Sequence, residues 1–92
     1  MNKLLSYYTS LFGTSGSEGD IRRAILNEIS PHATTKVDKL GNIIAFKKGR
    51  YEPPATVMLS AHMDEVGMIL TSVTEDGYIR FDTVGGIDPR TL

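Results

Sequence analysis

Apolar and polar positions recur along this chain with two periods, and the change from one to the other divides it. Leu4, Leu5, Tyr8, Leu11 and Phe12 share one face at helical spacing, which predicts a short amphipathic helix. GTSGSEGD breaks it. Ser15 with Glu18, and Ser17 with Asp20, each match a capping box, so one of the two serines is expected to open a second helix. Ile21, Ala24, Ile25 and Ile29 form the buried stripe of that helix, and Pro31 closes it. From Thr34 onward the period falls to two. TTKVD and NIIAFKKG read as strands joined by a tight turn at Leu40-Gly41-Asn42, and RYEPP as a loop. ATVMLSA is nearly all apolar, which predicts a strand buried on both faces of an α/β sheet. VGMILTSVTEDGYIRFDTV reads as a hairpin with Asp76-Gly77 in its turn, and GGIDPRTL follows.

Two helices on four or five strands amount to half of a sheet-and-helix sandwich. The apolar strand then lacks helices for its second face, so the chain is expected to be cut short. Its 92 residues are 40% apolar and 23% charged, a globular profile. A chain of this size buries about 60–65% of its unfolded surface at best, which makes independent stability marginal. The net charge of −1 gives no electrostatic reason to expect nucleic acid or an anionic membrane as a partner. Lys47, Lys48 and Arg50 surround Gly49 and read as a solvated turn. GTSGSEG lacks the lysine of a P-loop and the preceding strand of a dinucleotide site, so it reads as a loop and helix cap. MNKLLSYYTSLF is interrupted by Ser6 to Ser10 and has no cleavage site, so it does not read as a signal peptide. The expected location is the cytoplasm.

With no cysteine in the chain, disulfides and thiolate chemistry are excluded, and any metal must be held by His, Asp or Glu. His62 falls at the carboxyl end of the apolar strand, where α/β sheets bind ligands. In extended backbone His62 and Asp64 point to one side, and Met63 and Glu65 to the other. A metal-bound imidazole needs its second nitrogen tied to an acceptor, so His62 is the candidate metal ligand and Asp64 the carboxylate that holds the ring. A structural histidine is the alternative, and the residues alone leave the two about evenly matched. Asp64 and Glu65 are adjacent and face opposite ways, which suits a glycosidase pair poorly. Ser60 has no nucleophile elbow around it, and His32 follows Pro31 in a polar turn.

The stretches SGSEGDIRRAI, DKLGNIIAFKKG, VMLSAHMDEVGMIL and VGGIDPRTL, in this order and spacing, resemble the glutamyl and deblocking aminopeptidases. These co-catalytic zinc metallopeptidases include the tetrahedral-shell aminopeptidases. The resemblance runs from Ser15 to Leu92 and identifies the chain with the N-terminal portion of that family. It implies an α/β fold: the first part of a mixed-sheet catalytic domain over residues 1–66, running into a small β-rich inserted dimerisation domain from residue 67 to 92. It implies a metal-dependent aminopeptidase that releases N-terminal amino acids from peptides. Two divalent ions, zinc or cobalt, are implied as cofactors, with His62 as a metal ligand and Asp64 as the catalytic aspartate that orients it. It further implies homo-oligomers, as dimers or a dodecameric shell. Family members are several times longer, and their other ligands and general base have no counterpart here. The chain alone is therefore expected to be inactive, and a non-catalytic fragment or assembly module is the rival reading. A related deacylase or carboxypeptidase is a third, against which GGIDPR speaks.

Overall fold

The computed structural model describes residues 2–52 and 55–92. In chain order it contains α1 (Asn2–Thr9), α2 (Gly19–Ile29), β1 (Thr34–Val37), β2 (Ile43–Phe46), β3 (Gly67–Val73), β4 (Ile79–Val84) and a 3-10 turn at Pro89–Thr91. α1 is shorter than its apolar pattern suggests. The Thr9 hydroxyl donates to the Leu5 carbonyl and the Ser10 hydroxyl to that of Tyr7, and such side-chain bonds compete with the helix at its end. Leu11 and Phe12 lie beyond it. α2 carries the expected stripe, with Ile21 and Ala24 buried and Ile25 and Ile29 half-buried.

Helix α2 is not opened by a serine. Its N-cap is Glu18, without a side-chain cap, and the Glu18 carboxylate instead accepts from the Gly16 amide at 2.7 Å. Neither expected capping box forms: the Ser15 hydroxyl goes to Asp64, and the Asp20 carboxylate pairs with Arg23.

Both hairpins form, and they share one loop geometry. In the first, β1 pairs antiparallel with β2, Val37 opposite Ile43, and Asp38 and Asn42 bracket a three-residue loop. The Gly41 amide donates to the Asp38 carbonyl at 3.1 Å and the Asp38 amide to that of Asn42 at 3.0 Å. In the second, Thr74 and Tyr78 take the same places around Glu75-Asp76-Gly77, at 3.0 and 2.8 Å. Gly41 and Gly77 each have a φ near +90°, the left-handed position that ends this type of loop and that favours glycine. Strands β3 and β4 pair antiparallel from Gly67↔Val84 to Val73↔Ile79, with an irregularity between Leu70 and Ser72.

The sheets are separate and two-stranded, rather than parts of one mixed sheet. The apolar run 55–61 joins neither. It forms no paired strand, and Val57, Met58 and Leu59 are 83%, 85% and 93% exposed. A strand is defined by its neighbours' hydrogen bonds, and although β2 and α2 line a cavity together with this run, among the described residues no backbone hydrogen bond joins them to it. Of the expected loop 50–54, Pro53 and Pro54 lie outside the described residues.

The chain is elongated. Its radius of gyration is 18.1 Å, against about 12 Å for a compact domain of this length. It exposes 8288 Å², where a compact protein of 10.1 kDa exposes about 5,300 Å². The only large buried apolar side chain among the described residues is Ile21. Helix α2 leans on β2, and this pair places the first turn of α2 and the loop after β1 beside residues 61–64.

Candidate functional site

The site is built where the segment before α2 crosses the segment before β3. The Glu65 amide donates to the Gly13 carbonyl at 2.9 Å, and Thr14 and Glu65 form an isolated parallel bridge. Gly13 is buried against Ile21, where a Cβ would approach the Ile21 methyl to 3.1 Å, closer than ordinary contact. This crossing anchors residues 63–65 to the helical part of the chain.

The His62 and Asp64 side chains meet beside the anchored segment. His62 Nδ1 lies 3.1 Å from Asp64 Oδ1 and 3.0 Å from the Asp64 carbonyl oxygen. A proton on Nδ1 satisfies both contacts and leaves Nε2 with a free lone pair. Asp64 Oδ2 accepts a hydrogen bond from the Ser15 hydroxyl. That bond, with the one from His62, holds the Asp64 carboxyl below the usual carboxylate range. Glu18, lowered by the hydrogen bond from the Gly16 amide, brings a second carboxylate to the same face.

His62, Asp64, Glu18, Arg22, Gly41 and Asn42 line a shallow cleft of about 140 Å³. The Arg22 guanidinium closes one side of it, donating through Nε to the Gly41 carbonyl at 2.7 Å and lying 3.7 Å from the Glu18 carboxylate. The loop beyond is fixed by Asp38, whose carboxylate accepts from the Leu40 and Asn42 amides and from the Asn42 side chain, each at 2.9 Å.

The expected pairing of His62 with Asp64 is thus present. Its expected setting is not. The His62 side chain is 86% exposed and Asp64 39%, and the histidine does not sit at the end of a buried strand or in a sheet crevice. Among the described residues the run before it pairs with no strand, so the mechanical support expected from the sheet is missing. Glu65 serves through its backbone. The sequence marks Ser15 only as a possible helix cap, and no local signal points to its contact with Asp64, 49 positions away.

The resemblance implies a two-metal centre. His62 offers one nitrogen with its ring held from behind. A metal centre needs three or four protein ligands, and among the described residues no three His, Asp or Glu side chains converge in that way. The described residues bring one histidine to the site and no convergent set of three ligands, and do not by themselves fit the two-metal group.

GGIDPRTL has a definite form as well. The Asp88 carboxylate accepts from the Arg90 amide at 3.0 Å and meets the Arg90 guanidinium through both oxygens, at 3.0 Å and 2.6 Å, with Pro89 opening the 3-10 turn. Gly85, at φ +86°, lets the chain pass close to Val66 before this turn.

Comparison with known proteins decides the family. The model of the M42 glutamyl aminopeptidases matches residues 41–92, which include His62, Asp64 and the Asp88-Arg90 turn. The chain belongs to this family. It is 44% identical over 88 residues, 95% of its length, to an Acetivibrio thermocellus protein named as an inferred aminopeptidase. It is 39% identical over 84 residues, 87% of its length, to the lysyl aminopeptidase of Pyrococcus furiosus. Among solved structures, one titled as the PhTET1-12s dodecamer superimposes with a TM-score of 0.77 at 40% identity over 96% of this chain. That match covers 26% of the solved chain, and the two relatives are covered over 26% and 23% of theirs, so the M42 chain spans about a quarter of the proteins it matches.

Proposed function

We propose that the protein carrying this M42 chain is a metal-dependent aminopeptidase that removes N-terminal residues from peptides. The observation that carries the reading is the His62–Asp64 pair inside the region matched by the family model. In this reading His62 is a ligand to one of two divalent ions, zinc or cobalt. Asp64 holds the imidazole, and the remaining ligands come from outside the described residues. Residues 1–66 are the first part of the catalytic domain, and residues 67–92 begin a β-rich insertion used in assembly. Family membership and the dodecamer described for one similar structure support homo-oligomers. Free peptides, rather than nucleic acid or membrane, are the proposed partners; no described helix is long and apolar enough to cross a membrane. A cytoplasmic location completes the reading.

The test is an aminoacyl-anilide assay on the protein carrying this chain, before and after chelation and with zinc or cobalt restored. Metal-dependent release, abolished by His62→Ala, is the expected result. Release that survives both chelation and His62→Ala would overturn it.

One observation favours a second reading, an assembly module without catalysis: the exposed run Val57-Met58-Leu59 offers unpaired backbone edges to a partner chain. Self-association with neither zinc uptake nor turnover is its signature.

A further inference from the structure

We propose that Ser15 is a positioning residue for His62, acting through Asp64. The inference deepens the reading of His62 as the working imidazole and rests on it for its significance, although not for its geometry.

The backbone around Ser15 is shaped to present its hydroxyl. Ser17 donates from its amide to the Thr14 carbonyl at 2.8 Å, which closes a four-residue turn with Ser15 and Gly16 in the centre. Gly16 has a φ of +86°, the value that a type II turn requires at its third position. The turn is held against the site by the Glu65-to-Gly13 bond and the Thr14–Glu65 bridge. Ser15 therefore stands at the corner of a fixed loop, and its hydroxyl meets Asp64 Oδ2.

A carboxylate is a two-fold rotor with two acceptor oxygens. Fixing one oxygen fixes the plane of the other. With Ser15 donating to Oδ2, Oδ1 is left facing His62 Nδ1 at 3.1 Å as an acceptor, which requires the ring proton on Nδ1. Nε2 then keeps its lone pair and points away from Asp64. The Asp64 carbonyl, 3.0 Å from the same nitrogen, accepts from the same proton but places no constraint on the carboxylate. Ser15 decides whether the carboxylate shares in holding the ring. The Ser15 hydroxyl, the Asp64 carboxylate and the His62 imidazole thus form one hydrogen-bonded line, whose far end is the exposed Nε2.

Threonine and valine have nearly the same shape and differ by the hydroxyl, so Ser15→Thr and Ser15→Val in the protein carrying this chain separate the hydrogen bond from packing. The readout is the pair of imidazole ¹⁵N resonances of His62 in protein stripped of metal. The wild type and Ser15→Thr are expected to show the Nδ1-protonated tautomer, and Ser15→Val a shift toward the mixture of a free imidazole. Indistinguishable His62 resonances in the threonine and valine variants would overturn the proposal. Zinc titration of the same proteins tests the underlying reading separately. About tenfold weaker zinc binding in Ser15→Val than in Ser15→Thr agrees with both. A tautomer difference in a protein that binds no zinc would keep the positioning role and remove the metal role.

Discussion

Gly67 lies so close to Thr14 that a Cβ at position 67 would overlap the Thr14 methyl. The contact joins the start of β3 to the segment that carries Ser15. It explains a glycine at the head of a strand, where glycine is otherwise unfavourable. Gly67→Ala is expected to push Thr14 away, loosen the crossing and destabilise the protein by about 1–3 kcal/mol. Combining it with Thr14→Ser removes the overlapping methyl and is expected to recover most of the loss. Denaturant titration of the single and double variants measures both effects, and a neutral Gly67→Ala would refute the close approach.

Arg22 joins α2 to the loop after β1 through its bond to the Gly41 carbonyl. Arg22→Ala leaves that carbonyl without its charged donor, at an expected cost of about 1–2 kcal/mol. The neighbouring Glu18 contributes less, since a partly exposed pair at 3.7 Å is weak. Glu18→Gln removes the charge but keeps an oxygen for the Gly16 amide, so it is expected to cost less than Arg22→Ala, and denaturant midpoints for the two variants check the ranking.

Asp38 carries the pH dependence of the first hairpin. The Asn42 side chain and amide, with the amides of Leu40 and Gly41, hold its carboxyl below the ordinary value. A lowered folded pKa means that the unfolded chain binds the proton more readily. The stabilisation is therefore fully present above the free aspartate value of about 3.9 and is lost as pH falls through the lower folded one. A carboxyl-detected NMR titration is expected to show an Asp38 midpoint below that of free aspartate, moving up in Asn42→Ala. An unchanged midpoint in the variant would remove the assigned cause.

Asp64→Asn keeps the size of the side chain and replaces one acceptor oxygen with a donor amide. The ring of His62 and the hydroxyl of Ser15 then compete for the remaining oxygen. In the protein carrying this chain, metal affinity or aminopeptidase turnover is expected to fall about 10–100-fold. Wild-type occupancy and turnover in this variant would show that Asp64 does not hold the ring.

Val57 and Leu59 are exposed apolar residues in a segment outside the paired strands, and exposed apolar patches of this kind promote association. Residues 1–92 expressed alone are expected to self-associate at micromolar concentration. Val57→Lys combined with Leu59→Lys is expected to reduce that association. Sedimentation velocity distinguishes the cases, and a monomeric wild-type fragment would contradict the expectation.

What the sequence determined by itself is local. The α2 stripe of Ile21 and Ala24 and the two glycine-ended hairpin loops depend on hydrogen bonds and contacts spanning a few residues, so periodicity and turn chemistry were sufficient to read them. The His62–Asp64 contact belongs with them, because it spans only two positions. The family was also legible, in AHMDEVG and GGIDPR. Only the tertiary structure decided that Ser15 serves Asp64 instead of capping α2, since that contact spans 49 positions and nothing nearby in the chain marks it. It also decided that ATVMLSA is not a paired strand and that His62 is exposed. Apolar composition records that a segment favours burial, but the surface that would bury it is supplied by other parts of a fold, and none of the described residues supplies one here.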